Sequence, residues 1–576
     1  MDSSTLYRPE ILAALLGVAN HLYFRSHEPF GRTVPPTLAF ILAEPIILCI
    51  GLAFTRSLPW TSYLLAYGAF HASLLSSIVL YRLSPFHPLA RIPGPVMHKV
   101  SKLRAVWICW QGRQHIEFKA MHDKYGPVVR TVGSLGMIYP LAPLDLYTRL
   151  RPNEISVIDP SAIHAVLGAG GLPKGKWYLA RQDERAPSNL LTLTGEEHAN
   201  RRQVWNRALN SEALAEYDEI LVKSATQLVE GIQATSERDG EVDLTDWFNF
   251  FSFDFMADFV FGGGSDMLQK GKDEKGILEL LEHHMITGAL VSHIPWVFYL
   301  GNRIPGATES TLKMRKFASE WVENRLKNGA KVKDLWYHLT DEAGLEKEGQ
   351  PQMREVVADA LLAIVAGADT TSVGLTNVIY MILSHPEHYR RIQEEVDSVY
   401  AGTDATDISK QSELKYLSAC LDETLRLLPP GLTAGVRQVP KGGRMIAGHF
   451  LPEGTQVYIP HYVIHRNPDC FYPRTNEFVP SRWLSTSDSS ASDSDSDSAF
   501  VKHDRKAYLA FSYGPGNCVG KKLARQEMLM VISMLVQKFE LSFAKNFDSE
   551  KWPETMRDFL TTARGPLKVA ARTRKC

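Results

Sequence analysis

The sequence predicts a mainly α protein with a small β portion, standing behind an N-terminal transmembrane anchor. Three observations carry that expectation. The 576-residue chain is 45% apolar and 22% charged, which excludes a disordered tail or a fibrous repeat. From about Lys102 its apolar residues recur at helical spacing, broken by short β-like runs such as Gly126–Arg130 and Gln456–Ile459. The first 84 residues depart from the rest, with three apolar stretches in tandem.

The anchor comes first. Ser62–Tyr81 runs twenty residues without Asp, Glu, Lys or Arg. At about 1.5 Å rise per residue a helix of that length crosses a hydrocarbon core of about 30 Å. Two weaker stretches precede it: Thr37–Phe54, interrupted by Glu44 and Pro45, and the shorter Ile11–Phe24. Glu44 inside a membrane is costly unless it meets a partner. Three runs without a small-residue cleavage site favour an anchor over a cleaved signal peptide. Arg82, Arg91, Lys99, Lys102 and Arg104 form a positive flank that places the downstream domain on the cytosolic side. Residues 1–84 are read as the anchor, and Pro85, Pro88, Pro93 and Pro95 as a stiff elbow behind it.

The remainder, 85–576, reads as one large domain. Lys plus Arg (63) nearly cancels Asp plus Glu (64), so no basic field points to nucleic acid. Six scattered cysteines form no disulfide framework and suit a reducing compartment. Ser485–Ser498, with eight serines and four aspartates, is too polar to pack and is expected to be a solvated loop. Gly170–Lys176 imitates a phosphate-binding loop, but Trp177 stands where Ser or Thr would hold magnesium and no strand run precedes it. Nucleotide binding is not expected there.

Chemistry concentrates in the last third. In Phe511–Gly520 (FSYGPGNCVG), glycines at 514, 516 and 520 surround Cys518 just before a helical run. Glycine lets backbone approach a flat ligand, and a helix start favours a thiolate over a thiol. A thiolate in such a turn can be an axial ligand to haem iron. For a lone cysteine, a buried structural role is the alternative. Ala366–Thr371 (AGADTT) lies inside an apolar helical pattern that starts near Val356. Its Gly-Ala pair admits a ligand to the helix surface, and a threonine hydroxyl there can bond back to a carbonyl. E-x-x-R occurs at Glu387/Arg390, Glu423/Arg426 and Glu554/Arg557. Only Glu423/Arg426 lies between AGADTT and the run Phe478–Trp483, whose Arg482 can close an ion triad with that pair.

Together these elements resemble the membrane-bound cytochromes P450, haem-thiolate monooxygenases, over about Pro85 to the C-terminus. Phe511, Gly514, Cys518 and Gly520 match the family signature F-x-x-G-x-R-x-C-x-G. Gly516 departs from it, standing where the family has a basic residue that pairs with a haem propionate. The resemblance implies a cytochrome P450 fold and a haem (heme b) whose iron takes the Cys518 thiolate. It makes Asp369 and Thr370 the catalytic acid–alcohol pair that relays protons. It also makes Glu423, Arg426 and Arg482 a structural triad. His198 and Arg202 match the family's W/H-x-x-x-R helix, and Arg437 its second propionate arginine. Arg202 and Arg437 are therefore the candidates to compensate for Gly516. Lys176–Leu193, Leu361–Ala366, Leu432–Gly435 and Leu560–Thr562 would face substrate, with apolar or small side chains.

The expected reaction inserts one atom of dioxygen into a C–H bond or an alkene of a lipophilic molecule, first among them a fungal terpenoid. No flavin or nicotinamide motif is visible and only 58 residues follow Cys518. Electrons are thus expected from an NADPH-cytochrome P450 reductase at the endoplasmic reticulum membrane. Two readings compete: a haem-thiolate isomerase or dehydratase that needs no dioxygen, and a non-enzymatic membrane haem or lipid binder. Thr131–Arg149 interrupts the family's first sheet region and is expected to be a late insertion or a translated intron, settled by sequencing the transcript.

Overall fold

The computed structural model describes residues 8–24, 33–55, 57–133, 153–179, 187–294, 297, 309–329, 333–345, 351–433, 435–484 and 502–574. The serine-aspartate run, most of Thr131–Arg149, and parts of Lys176–Leu193 and Leu432–Gly435 lie outside the described residues.

All three N-terminal apolar runs are helices: α1 (Pro9–Phe24), α2 (Val34–Ala53) and α3 (Trp60–Leu83). Within α2 and α3 lie stretches long and apolar enough to cross a membrane. Helix α1 packs closely along α3 because Gly17 sits on the Phe70 carbonyl and the Ser73 hydroxyl, where a side chain would collide. Glu44 does meet a partner: Asn20 Nδ2 donates to its Oε2 at 2.9 Å. His21 Nδ1 and Ser77 Oγ are 2.7 Å apart on the same seam.

The proline elbow is seated on the body of the protein. It lies against β1 (Val128–Gly133), which pairs antiparallel with β2 (Asn153–Val157). Buried Arg130 of β1 reaches His87 Nε2 at 3.1 Å, and its amide donates to Pro93 O at 2.8 Å. Burial pushes the Arg130 guanidinium down to about 10. Val132 and Gly133, inside the run expected to interrupt this sheet, pair with Glu154 and Asn153; the rest of that run lies outside the described residues.

Five helices of the body position the site. Helix α4 (Gly195–Ala208) precedes α5 (Leu244–Phe261), which is buried nearly all round, capped by Asp243 and stopped by left-handed Gly262. Helix α6 (Met353–Leu383) is the 31-residue spine. It is also apolar enough to span a membrane, but half of that stretch is buried in the fold, against 22% and 17% for the two anchor spans. It is a core helix. Two glycines set its approach to its neighbours: a Cβ at Gly367 would lie 2.5 Å from Met256 Sδ of α5. Helix α7 (Lys415–Leu427) flanks it. Strands β3 (Arg437–Gln438) and β4 (Gln456–Tyr458) complete a sheet of order β1-β2-β4-β3, parallel only between β2 and β4. Helix α8 (Lys521–Lys538) packs on α6, where a Cβ at Gly374 would meet Met528 Sδ at 2.7 Å. A last hairpin, β5 (Arg557–Asp558) with β6 (Thr562–Ala563), brings its turn beside α6.

Candidate active site

The loop ahead of α8 is held by its backbone. Cys518 N–H donates to Phe511 O at 2.9 Å and Asn517 N–H to Gly514 O at 3.1 Å. Gly514 has φ +71°, and a side chain there would strike the Leu167 carbonyl. Phe511 packs on the main core, with Lys521 Nζ 5.6 Å from its ring centre. Gly520 faces open space, so no protein atom explains its lack of a side chain. Cys518 is accessible to solvent yet surrounded by protein at longer range, as at the floor of a recess. Burial pushes its thiol up, against the opposing pull of the Gly520 N–H, Arg202 and Lys521. Burial thus works against the thiolate that the helix start favours.

Beside this loop cations gather. From α4, Arg202 donates to Asn517 O at 2.6 Å and to Asn517 Oδ1 at 2.7 Å. From β3, the Arg437 guanidinium lies against Gly516, with one nitrogen 2.9 Å from where a Cβ would stand. Lys174 forms a bridge with Arg437 through the backbone, and its Nζ donates to Leu190 O at 2.8 Å. Burial, then Arg437 and Arg202, push Lys174 down to about 7. Burial, then Lys174, Arg202 and Arg437, push His198 down to about 4. Among the described residues no carboxylate pairs with any of the four. The adjacent Arg201 is the contrast, bound to Asp359 and Glu355 of α6 at 2.7 Å each. A thiol in a recess, an open glycine and unopposed cations fit a flat, metal-bearing cofactor with acidic side arms. Sequence reasoning missed Lys174, although it lies in the very segment that imitates a phosphate loop.

On α6, Thr370 Oγ1 donates back to Ala366 O at 2.7 Å, and the helix runs on through this point. Asp369 does not touch that hydroxyl; it accepts from Thr561 Oγ1 in the turn between β5 and β6. Burial pushes the Asp369 carboxyl up, Thr561 and Arg564 oppose that, and Glu282 adds to it. Thr561 lies in the Leu560–Thr562 segment expected to face substrate, but its bond to Asp369 shows only in the hairpin's packing on α6.

Glu423 and Arg426 form a double contact, at 2.7 and 2.8 Å, with both side chains fully buried. Arg482 Nε stands 3.6 Å from Glu423 Oε1. Trp483 Nε1 (2.9 Å) and Val479 N–H (3.0 Å) fill the remaining lone pairs of Glu423. The arginines hold the Glu423 carboxyl low despite its burial. His465 links this network to the cysteine loop: its Nδ1–H donates to Arg426 O at 2.8 Å, and its Nε2 accepts from Leu509 N–H at 2.7 Å.

Trp177, Thr433 and Leu560, from three of the segments expected to face substrate, line one small hollow together with Tyr458 of β4 and Asp558 of β5; Leu361–Ala366 takes no part in it. Asp558 accepts from Thr433 Oγ1.

Comparison with known proteins places these features in a wider set. The family model described as cytochrome P450 matches residues 147–569. The chain is 32% identical over 499 residues to the cytochrome P450 monooxygenase FCK2 of Fusarium pseudograminearum (strain CS3096), covering 86% of this chain and 84% of that one. It is 29% identical over 542 residues to the monooxygenase nodW of Hypoxylon pulicicidum, covering 92% and 91%. It is 28% identical over 512 residues to the trichothecene C-15 hydroxylase of Fusarium sporotrichioides, covering 87% and 96%.

Proposed function

The chain belongs to the cytochrome P450 family, and from that premise we propose that it hydroxylates or epoxidises a lipophilic secondary metabolite of terpenoid type. The single observation that carries the reading is the cysteine recess: Cys518 in a glycine loop, with Arg202 bonded to that loop and Arg437 pressed on it. Resemblance to a trichothecene hydroxylase supports the terpenoid class.

A haem bound here would be held through the Cys518 thiolate and would supply the means to activate dioxygen. Arg202 and Arg437 then neutralise its acidic arms, and His198, held neutral, offers a ring nitrogen beside them. Gly520 leaves room for the ring face. Asp369 is the proton-donating acid: its raised carboxyl keeps a proton near neutrality better than an exposed aspartate, and Thr561 fixes its orientation. Thr370, tied to the Ala366 carbonyl, orients the last hydroxyl of the relay. Electrons come from an NADPH-dependent reductase, with residues 1–84 holding domain 85–576 at the cytosolic face of the endoplasmic reticulum.

Reduced protein in carbon monoxide is expected to show the thiolate-type Soret shift, and its absence would sink the reading. With reductase, NADPH and a fungal metabolite extract, a product heavier by one oxygen atom drawn from labelled dioxygen is expected. Turnover that proceeds without dioxygen assigns the chain to the isomerase or dehydratase class. Thr370→Ala is expected to uncouple oxygen consumption from product formation; unchanged coupling argues against the relay.

A further inference from the structure

We propose that the small hollow beside β5 binds a hydroxyl group of the substrate, with Asp558 as the residue that selects it. The enzyme then acts on a lipophilic alcohol rather than on a plain hydrocarbon, and a step that installs a hydroxyl must come before it. The inference rests on the monooxygenase reading and names the substrate class within it.

Three observations lead to it. A carboxylate and four polar side chains share the hollow: Asp558, only 2% exposed, lines it with Gln114, His293, Thr433 and Tyr458. A site that recognised a hydrocarbon by shape would need none of them, and a carboxylate taken out of water is costly without donors. Next, this carboxylate is fixed. Asp558 N–H donates to Gly112 O at 2.8 Å, and Thr433 Oγ1 donates to Asp558 Oδ2. With Thr562 Oγ1 donating to Pro430 O at 2.9 Å, the hairpin is stitched at two points to the segment behind α7. A carboxylate offers about four lone-pair sites, so the threonine leaves it able to accept from a ligand. Finally, the hollow adjoins the reacting region, because Thr561 in the turn of the same hairpin donates to Asp369. A hydroxyl held at Asp558 ties the substrate one turn away from that acid. The lining also chooses among polar groups. A carboxylate repels an ether or ketone oxygen, while Gln114 and Tyr458 carry donors that an ammonium cannot answer. A hydroxyl donates and accepts, and it is small enough for the space.

The test uses the full-length, haem-loaded protein in detergent. Sesquiterpene and diterpene alcohols are titrated beside their deoxy, O-methyl and amine counterparts, with binding read as the Soret shift and by equilibrium dialysis. The parent is expected to bind at least one alcohol about tenfold more tightly than its deoxy and O-methyl counterparts, the size of one hydrogen bond to a charged group. Asp558→Asn and Asp558→Ser both keep a partner for Thr433 and lose the charge. Whichever holds its haem is expected to cut that preference to about threefold or less, with affinity for the deoxy compound within about twofold of the parent's. An unchanged preference in these variants overturns the proposal, as does equal weakening toward all the counterparts, which gives Asp558 a structural role. A parent that binds no alcohol of the panel, or binds alcohols no better than their deoxy partners, overturns it and leaves the hollow to water. Preference for the amine also overturns it, assigning the hollow to a cation. A parent without the thiolate-type carbon monoxide band sinks the monooxygenase reading itself. A normal band without alcohol preference sinks only the role of the hollow.

Discussion

Two charged regions near the cysteine loop are built on opposite rules. Around Glu423, buried opposite charges close on each other: two arginines, an indole N–H and a backbone N–H converge on one carboxylate. Around Gly516, three cations and a neutral histidine have neutral oxygen partners but no carboxylate among the described residues. A buried charge is costly unless paired, so the first arrangement is a finished piece of scaffold. The second is finished only by a ligand. Arg201 and Arg202 show the rule at single-residue scale, one bound to two carboxylates of α6 and the other turned to the loop.

The largest way to break this contrast is Glu423→Gln. It strands two buried guanidinium groups and is expected to cost about 3–5 kcal/mol, read as a fall in urea midpoint or the loss of folded protein. Arg437→Ala tests the other region: stability of the haem-free protein is expected to stay within about 0.5 kcal/mol, since no carboxylate loses a partner. Haem release should nonetheless accelerate, and a large stability loss without faster release would erase the contrast. Thr561→Val removes the donor to Asp369. A bond to the ionised carboxylate holds that group down, so its loss should move the alkaline limb of turnover, where the acid gives up its proton, to higher pH. An unmoved limb would separate Thr561 from the acid.

A further contrast is a pH difference in the haem-free protein. Lys174 folds at about 7 against an ordinary 10.5, with Arg437, Arg202 and His198 facing it. Between those values the unfolded chain binds more protons, so folded stability rises with pH across that window. The destabilisation is full below 7 and fades toward 10.5. Thermal unfolding of the parent should thus gain on Lys174→Gln from pH 7 to 9, and a parallel pair of curves would show that Lys174 is not crowded by its neighbours.

Much of this was legible in the chain because it is written in local rules. The glycines around Cys518, the helical run around Asp369 and Thr370, and three apolar N-terminal stretches each follow from spacing within about twenty residues. The position of Gly516 in that loop, and the loss of charge it implies, could also be read directly. Three things could not. Lys174 resembled a failed phosphate loop, Thr561 and His465 belonged to no motif, and the cysteine's thiol pKa moved against the helix-start argument.

By itself the sequence determined the inventory: an apolar anchor, a long core helix carrying an acid and an alcohol, and one cysteine in a glycine turn. Only the tertiary structure decided which charges meet. Lys174, Arg202, Arg437 and Gly516 come from separate stretches of the chain, and whether a cation finds a carboxylate or is left for a ligand depends on distances of a few ångströms across packed elements. Periodicity and local sterics act along the chain, whereas Coulomb energy and desolvation act through space.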